Sequence, residues 1–161
     1  MKKLMFAAAL ALSAAGGAMP AQAFDGGPVP ATLPTPPAGQ GQVIFWRPGT
    51  MVGGAMGCGV NMGTERISAL GAGKYFILNL APGTHEFNAR SEARDVLTLE
   101  VEPGETYFVR CTIRMGFMVG RPNLSPSTLA EFNEKRDDLE YVDGDDLGER
   151  AARDPNPPAA G

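Results

Sequence analysis

The chain has 161 residues, with 14 Lys and Arg against 18 Asp and Glu and a net charge of −4. That length suits one domain. The acidic balance repels nucleic-acid backbones and anionic surfaces at long range, which argues against nucleic acid or a bare membrane surface as the partner.

Lys2 and Lys3 precede an uncharged run over residues 4–18, followed by Pro20-Ala21-Gln22-Ala23. A basic start, an apolar stretch and small residues at Ala21 and Ala23 are the three parts of a secretory signal peptide, with cleavage expected near Ala23. The apolar run is about fifteen residues long and rich in Ala and Gly, whereas a membrane span needs roughly twenty strongly apolar residues. Phe24 rather than a Cys directly follows the cleavage position, which argues against a lipid-modified N-terminus, and no second run of spanning length occurs downstream. The mature chain is therefore expected in the periplasm, with no membrane insertion. Loss of residues 1–23 leaves twelve Lys and Arg against eighteen acids, a net charge of −6.

Residues 24–41 are built from Gly, Pro, Ala and Thr and read as an extended linker. From residue 42 the pattern takes the short period of strands. Val43-Ile44-Phe45-Trp46 begins the sheet, and Cys58, Val60 and Met62 then alternate with Gly59 and Asn61. Residues 66–70 pass through Gly71-Ala72-Gly73 into residues 74–80, which reads as a hairpin. Pro82-Gly83 and Pro103-Gly104 each read as a type II turn, with Pro fixing the second position and Gly accepting the positive φ of the third. Two such hairpins predict a meander, the second joining residues 96–101 to 106–113.

A short strand is expected at residues 116–120. A helix over residues 125–140 follows, capped by Ser125 with Pro126 in its first turn, and Leu129, Phe132 and Leu139 form its apolar stripe. Residues 141–161 form an acidic tail too poor in apolar residues to fold alone, expected to be disordered. Its Asp143-Gly144-Asp145-Asp146 stretch lacks the ligand spacing of an EF-hand loop. The fold class is all-β: an antiparallel β-sandwich of about seven strands over residues 42–124, transthyretin/immunoglobulin-like, with one short C-terminal helix. Missing crossover helices exclude a parallel α/β sheet.

Three stretches carry a family resemblance: Tyr75-Phe76-Ile77-Leu78-Asn79-Leu80-Ala81-Pro82-Gly83-Thr84-His85, Tyr107-Phe108-Val109-Arg110-Cys111, and Met115-Gly116-Phe117-Met118-Val119-Gly120-Arg121-Pro122. With them, residues 41–124 resemble the bacterial domain of unknown function 2846 family. The resemblance implies export and a β-sandwich, and it supplies no activity and no catalytic residue.

Cys58 and Cys111 are the two cysteines. An exported chain with an even cysteine count reads as disulfide-bonded, the alternative being two separate buried thiols. Strand alternation turns both toward the core, which permits a bridge without requiring one. His85 is the single histidine, and with no nucleophile elbow in the chain it reads as a brace for its turn. Glu86, Glu92, Asp95, Glu100 and Glu102 could approach one another across strands as a hydrolase pair, and solvated outer faces account for them equally. Met51, Met56, Met62, Met115 and Met118 near Cys58 have the softness monovalent copper prefers, but match no ligand spacing.

Zinc spacing and a phosphate-cradling loop are both absent, so no catalytic, metal or cofactor residue is assigned and no cofactor is expected. Arg110 and Arg121 are available to pair with Glu100 or the acidic tail. The expected function is a non-enzymatic binding or interaction module of the bacterial cell envelope, meeting a protein or another envelope component. Its contact surface is placed at Phe45, Trp46 and Arg47 with the Gly-rich loop that follows, against which stands burial in the core, the commoner fate of a single Trp such as Trp46. The alternative is a periplasmic copper carrier using Met and Cys side chains, and a small hydrolase is third.

Overall fold

Two apolar runs, Val43-Ile44-Phe45-Trp46 and Tyr75-Phe76-Ile77-Leu78, form the centre of the fold. The computed structural model describes residues 27–51, 53–89, 96–115 and 120–152. In it these runs lie in β1 (Gly41–Arg47) and β4 (Lys74–Leu80), antiparallel, with Val43 opposite Leu78 and Phe45 opposite Phe76. Every residue of β1 is buried. A strand covered on both faces needs apolar side chains on both, which is why neither run alternates.

Seven further strands complete two sheets: β2 (Cys58–Met62), β3 (Glu65–Leu70), β5 (Gly83–Ala89), β6 (Val96–Val101), β7 (Thr106–Met115), β8 (Gly120–Ser127) and β9 (Glu140–Tyr141). The five-stranded sheet has the order β8-β7-β1-β4-β9 and the four-stranded sheet β3-β2-β5-β6. The all-β sandwich is therefore as expected, with two corrections. Among the described residues it has nine strands rather than about seven, and it is not purely antiparallel, because β1 runs parallel to β7 and β4 parallel to β9.

The expected meander is also corrected. The turns at Gly71-Ala72-Gly73, Pro82-Gly83 and Pro103-Gly104 each carry the chain from one sheet to the other. Gly104 does take the positive φ of the turn, +79°, and Glu105 N donates to Glu102 O at 3.4 Å. Turn chemistry fixes a chain reversal, whereas burial on both faces decides which strands pair. The hairpins are instead β2–β3, β5–β6 and β7–β8.

Between the sheets, Phe45 stacks on Phe76 at 4.9 Å and meets Phe87 of β5 edge-on at 5.0 Å. The other face of the five-stranded sheet is covered by α1 (Leu129–Lys135). Phe132 of α1 packs against Trp46, Tyr75 and Phe108 at 5.9, 6.1 and 5.3 Å. Burying that one ring contributes about 1.5–3 kcal/mol.

The helix does not begin after Ser125. Residues 120–127 continue as the edge strand β8, where a proline such as Pro122 or Pro126 is tolerated. Thr128 is the cap: its hydroxyl accepts from Glu131 N at 3.2 Å, and Glu131 Oε2 accepts from Thr128 N at 3.0 Å. This reciprocal pair is a capping box. A 3-10 turn at Arg136–Asp138 ends the helix.

Both flanks fold against the sandwich as far as they are described. On the N-terminal side, Pro28 bridges Glu140, Gln42 Nε2 donates to Pro34 O at 2.7 Å, and Val29 and Leu33 pack on the core. On the C-terminal side, Tyr141 and Val142 are buried, and Gly148 N donates to Ile67 O at 2.7 Å. A Cβ on Gly148 would lie 2.1 Å from Arg66 O, so glycine permits this approach. The tail was expected to be disordered on its acids, but Tyr141, Val142, Leu147 and Ala151 among them supply the apolar surface to dock. A short helix α2 (Glu149–Ala152) follows, and Arg150 pairs with Glu65 at 2.9 Å.

The signal-peptide region, most of the strand expected at residues 116–120 and the end of the acidic tail lie outside the described residues. Among the described residues no helix is long and apolar enough to cross a membrane.

Candidate functional site

At the end of β1 the pairing with β7 stops after Trp46 and Arg110. Beyond that point, Arg47, Pro48 and Thr50 on one side and Cys111, Thr112 and Ile113 on the other line a cavity of about 230 Å³. Pro48 and Thr50 belong to the loop that follows β1. Gly53 holds φ +71° there, and a Cβ at that position would sit 3.0 Å from Ile113. Glycine thus meets both demands, of backbone conformation and of space.

Arg47 organises this end. It is 1% exposed, and its guanidinium donates to Gly53 O at 2.6 Å, to Leu70 O at 3.1 Å and to Met56 O. None of the ion pairs among the described residues includes it. Burial pushes the guanidinium below its usual pKa. Its carbonyl partners offset part of the cost of burying an isolated charge, and they tie the loop to the ends of β1 and β3.

Phe45 and Trp46 are 0% and 1% exposed, so Phe45, Trp46 and Arg47 form no contact surface, which corrects the expectation from sequence. Aromatic side chains on a strand buried on both faces go to the two cores: Phe45 inward to Phe87, Trp46 outward to Phe132. The adjoining loop does reach solvent, with Met51 fully exposed.

Cys58 of β2 and Cys111 of β7 are joined by a disulfide across the two sheets, and both are shut off from solvent. The bridge takes up both thiolates that a copper carrier using Met and Cys would need. Among the methionines, Met62 packs against the core, the sulfur of Met56 lies close to Gly120, and Met51 and Met115 are exposed. Met118 lies outside the described residues.

His85 Nε2 lies 2.7 Å from Ala81 O, four residues back, so the ring braces the turn between β4 and β5. Glu86, Glu100 and Glu102 are exposed, and Glu100 accepts from Thr84 Oγ1 at 2.7 Å. Glu92 and Asp95 lie outside the described residues. Arg110 pairs with Glu131 of α1 at 3.5 Å rather than with Glu100. Asp143, Asp145 and Asp146 gather their carboxylates in one turn, where Asp143 meets Lys74 at 3.7 Å.

These features define a two-sheet β-sandwich module stapled by an inter-sheet disulfide, with a loop-lined cavity at one end. A family model described as protein of unknown function (DUF2846) matches residues 37–122. The match spans just over half of the chain and takes in Arg47 and both cysteines, and the chain belongs to this family. No curated protein and no solved structure matches it.

Proposed function

We propose that this protein is an exported, non-enzymatic binding module of the bacterial cell envelope, with its binding end at the loop over residues 48–57. The observation that carries the reading is the arrangement at that end, where an inter-sheet disulfide stiffens the wall of a cavity bordered by a loop. Binding residues are commonly placed on loops held by a rigid scaffold.

Three points support it. Disulfides persist in oxidising compartments, which agrees with the signal-peptide pattern of residues 1–23 and supports a periplasmic mature chain. The single histidine braces a turn. Among the described residues no nucleophile is hydrogen-bonded to it.

A photo-crosslinking residue placed at Thr50, beside the cavity, tests the reading in living cells, with Thr98 on the far strand β6 as the comparison. Adducts to an envelope component at Thr50 but not at Thr98 are expected. Equal labelling at both positions, or none at either, contradicts the assignment.

A further inference from the structure

The last paired rows of β7 and β8 set Arg114 directly opposite Arg121, next to Met115 opposite Gly120. Directly opposed residues share one face of a sheet, with Cα atoms about 5 Å apart, and like charges in that relation repel. Both arginines are exposed. None of the ion pairs among the described residues includes either one. Arg110, on the same face of β7 four positions earlier, is by contrast compensated by Glu131. The result is a doubly positive island on a chain of net charge −4.

The island adjoins the cavity. Thr112, which lines the cavity, lies two positions before Arg114 on the same face and opposite Asn123. Buried Arg47 adds a third positive charge to that end of the sandwich without a carboxylate partner among the described residues. Long-range repulsion from the acidic surface is screened within about 8 Å at physiological salt, so the local pair governs what binds there.

We propose that Arg114 and Arg121 together bind a phosphate-type oxyanion at the exposed end of β7 and β8, beyond α1 and beside the loop-end cavity. A guanidinium presents a planar fork of donors that matches phosphate oxygens, and two forks converging on one dianion match its charge and cancel their mutual repulsion. A single carboxylate would leave one of the two charges uncompensated. This names a ligand chemistry for the binding-module reading and rests on it. The phosphate belongs either to a soluble phosphate monoester or to a phospholipid headgroup that ends in one.

The test is titration of the full chain, followed by amide NMR, with inorganic phosphate, with p-nitrophenyl phosphate, and with vesicles containing phosphatidic acid, whose headgroup is a phosphomonoester, against phosphatidylcholine vesicles. Saturable shifts confined to residues 112–115 and 120–123 are expected, and Arg114→Ala with Arg121→Ala should weaken binding by about tenfold or more. The double Lys variant should fall between, since it keeps the charge and loses the fork. Both side chains are exposed, so the variants should melt no lower than the parent protein.

Saturation by the soluble phosphates with no preference between vesicles assigns a soluble phosphate monoester; binding seen with phosphatidic acid vesicles and dependent on both arginines assigns a headgroup. No saturable response to either source, or equal binding by the double Ala variant, overturns the proposal. Turnover of p-nitrophenyl phosphate would instead overturn the non-enzymatic reading and leave the oxyanion site standing.

Discussion

Cys58 and Cys111, 53 residues apart in the chain, join β2 of the four-stranded sheet to β7 of the five-stranded sheet. The bridge closes a loop containing β3, β4, β5 and β6. Closing a loop of that size removes chain entropy from the unfolded state worth about 4 kcal/mol. Replacing both cysteines by Ala should lower the unfolding free energy by about that amount, read as a fall in the urea midpoint. A change below about 1 kcal/mol would show that the sheets are held together without it.

Phe132 is the plug of the second core, against Trp46, Tyr75 and Phe108. Phe132→Ala should cost about 3–5 kcal/mol. Trp46 is the one tryptophan of the chain, so its fluorescence should shift to the red as water enters beneath α1. Unchanged emission would mean that α1 does not cover the ring.

Thr128 and Glu131 cap each other's backbone, and Thr128→Ala should cost about 1 kcal/mol. Hydrogen bonds from the Ser127 side chain and the Thr128 backbone hold the Glu131 carboxyl below the usual carboxylate range, with Arg110 adding to them. A lowered folded pKa contributes stability that is present above the unfolded value of about 4.3 and is lost as pH falls through the folded one. The melting difference between the parent protein and Glu131→Gln should therefore be constant near neutrality and shrink in acid. A difference that grew as pH fell would reverse the sign.

Arg47 holds the loop through three carbonyl oxygens. Arg47→Ala leaves those acceptors without their donor and should cost about 2–3 kcal/mol. Limited proteolysis should then cut within residues 48–57 before anywhere else in the sandwich. Cleavage rates equal to those of the parent protein would show that the loop is held by other contacts.

The strands, the two-sheet class and the inward cysteines were legible because strand alternation and turn residues are local signals. Pairing was not. The turns at Pro82-Gly83 and Pro103-Gly104 look alike whether the next strand joins the same sheet or the facing one, and the parallel neighbours β1 and β7 are too far apart in sequence for any turn to report. The capping box Thr128-Leu129-Ala130-Glu131 was written in the chain, but Ser125-Pro126 three residues earlier satisfies the same start rule. The position of β8 at a sheet edge decides between them. Arg47 does line the cavity but is not on the surface where the sequence puts it, because composition does not reveal that three main-chain oxygens await a buried guanidinium. The opposed arginines at 114 and 121 depend on the register of β7 with β8, which no spacing rule supplies.

Export and the disulfide are tested together by the intact mass of the chain recovered from the periplasm without reductant. A chain that begins at Phe24 and is two hydrogens lighter than its reduced form is expected. A chain that retains residues 1–23 and carries free thiols at Cys58 and Cys111 would contradict both.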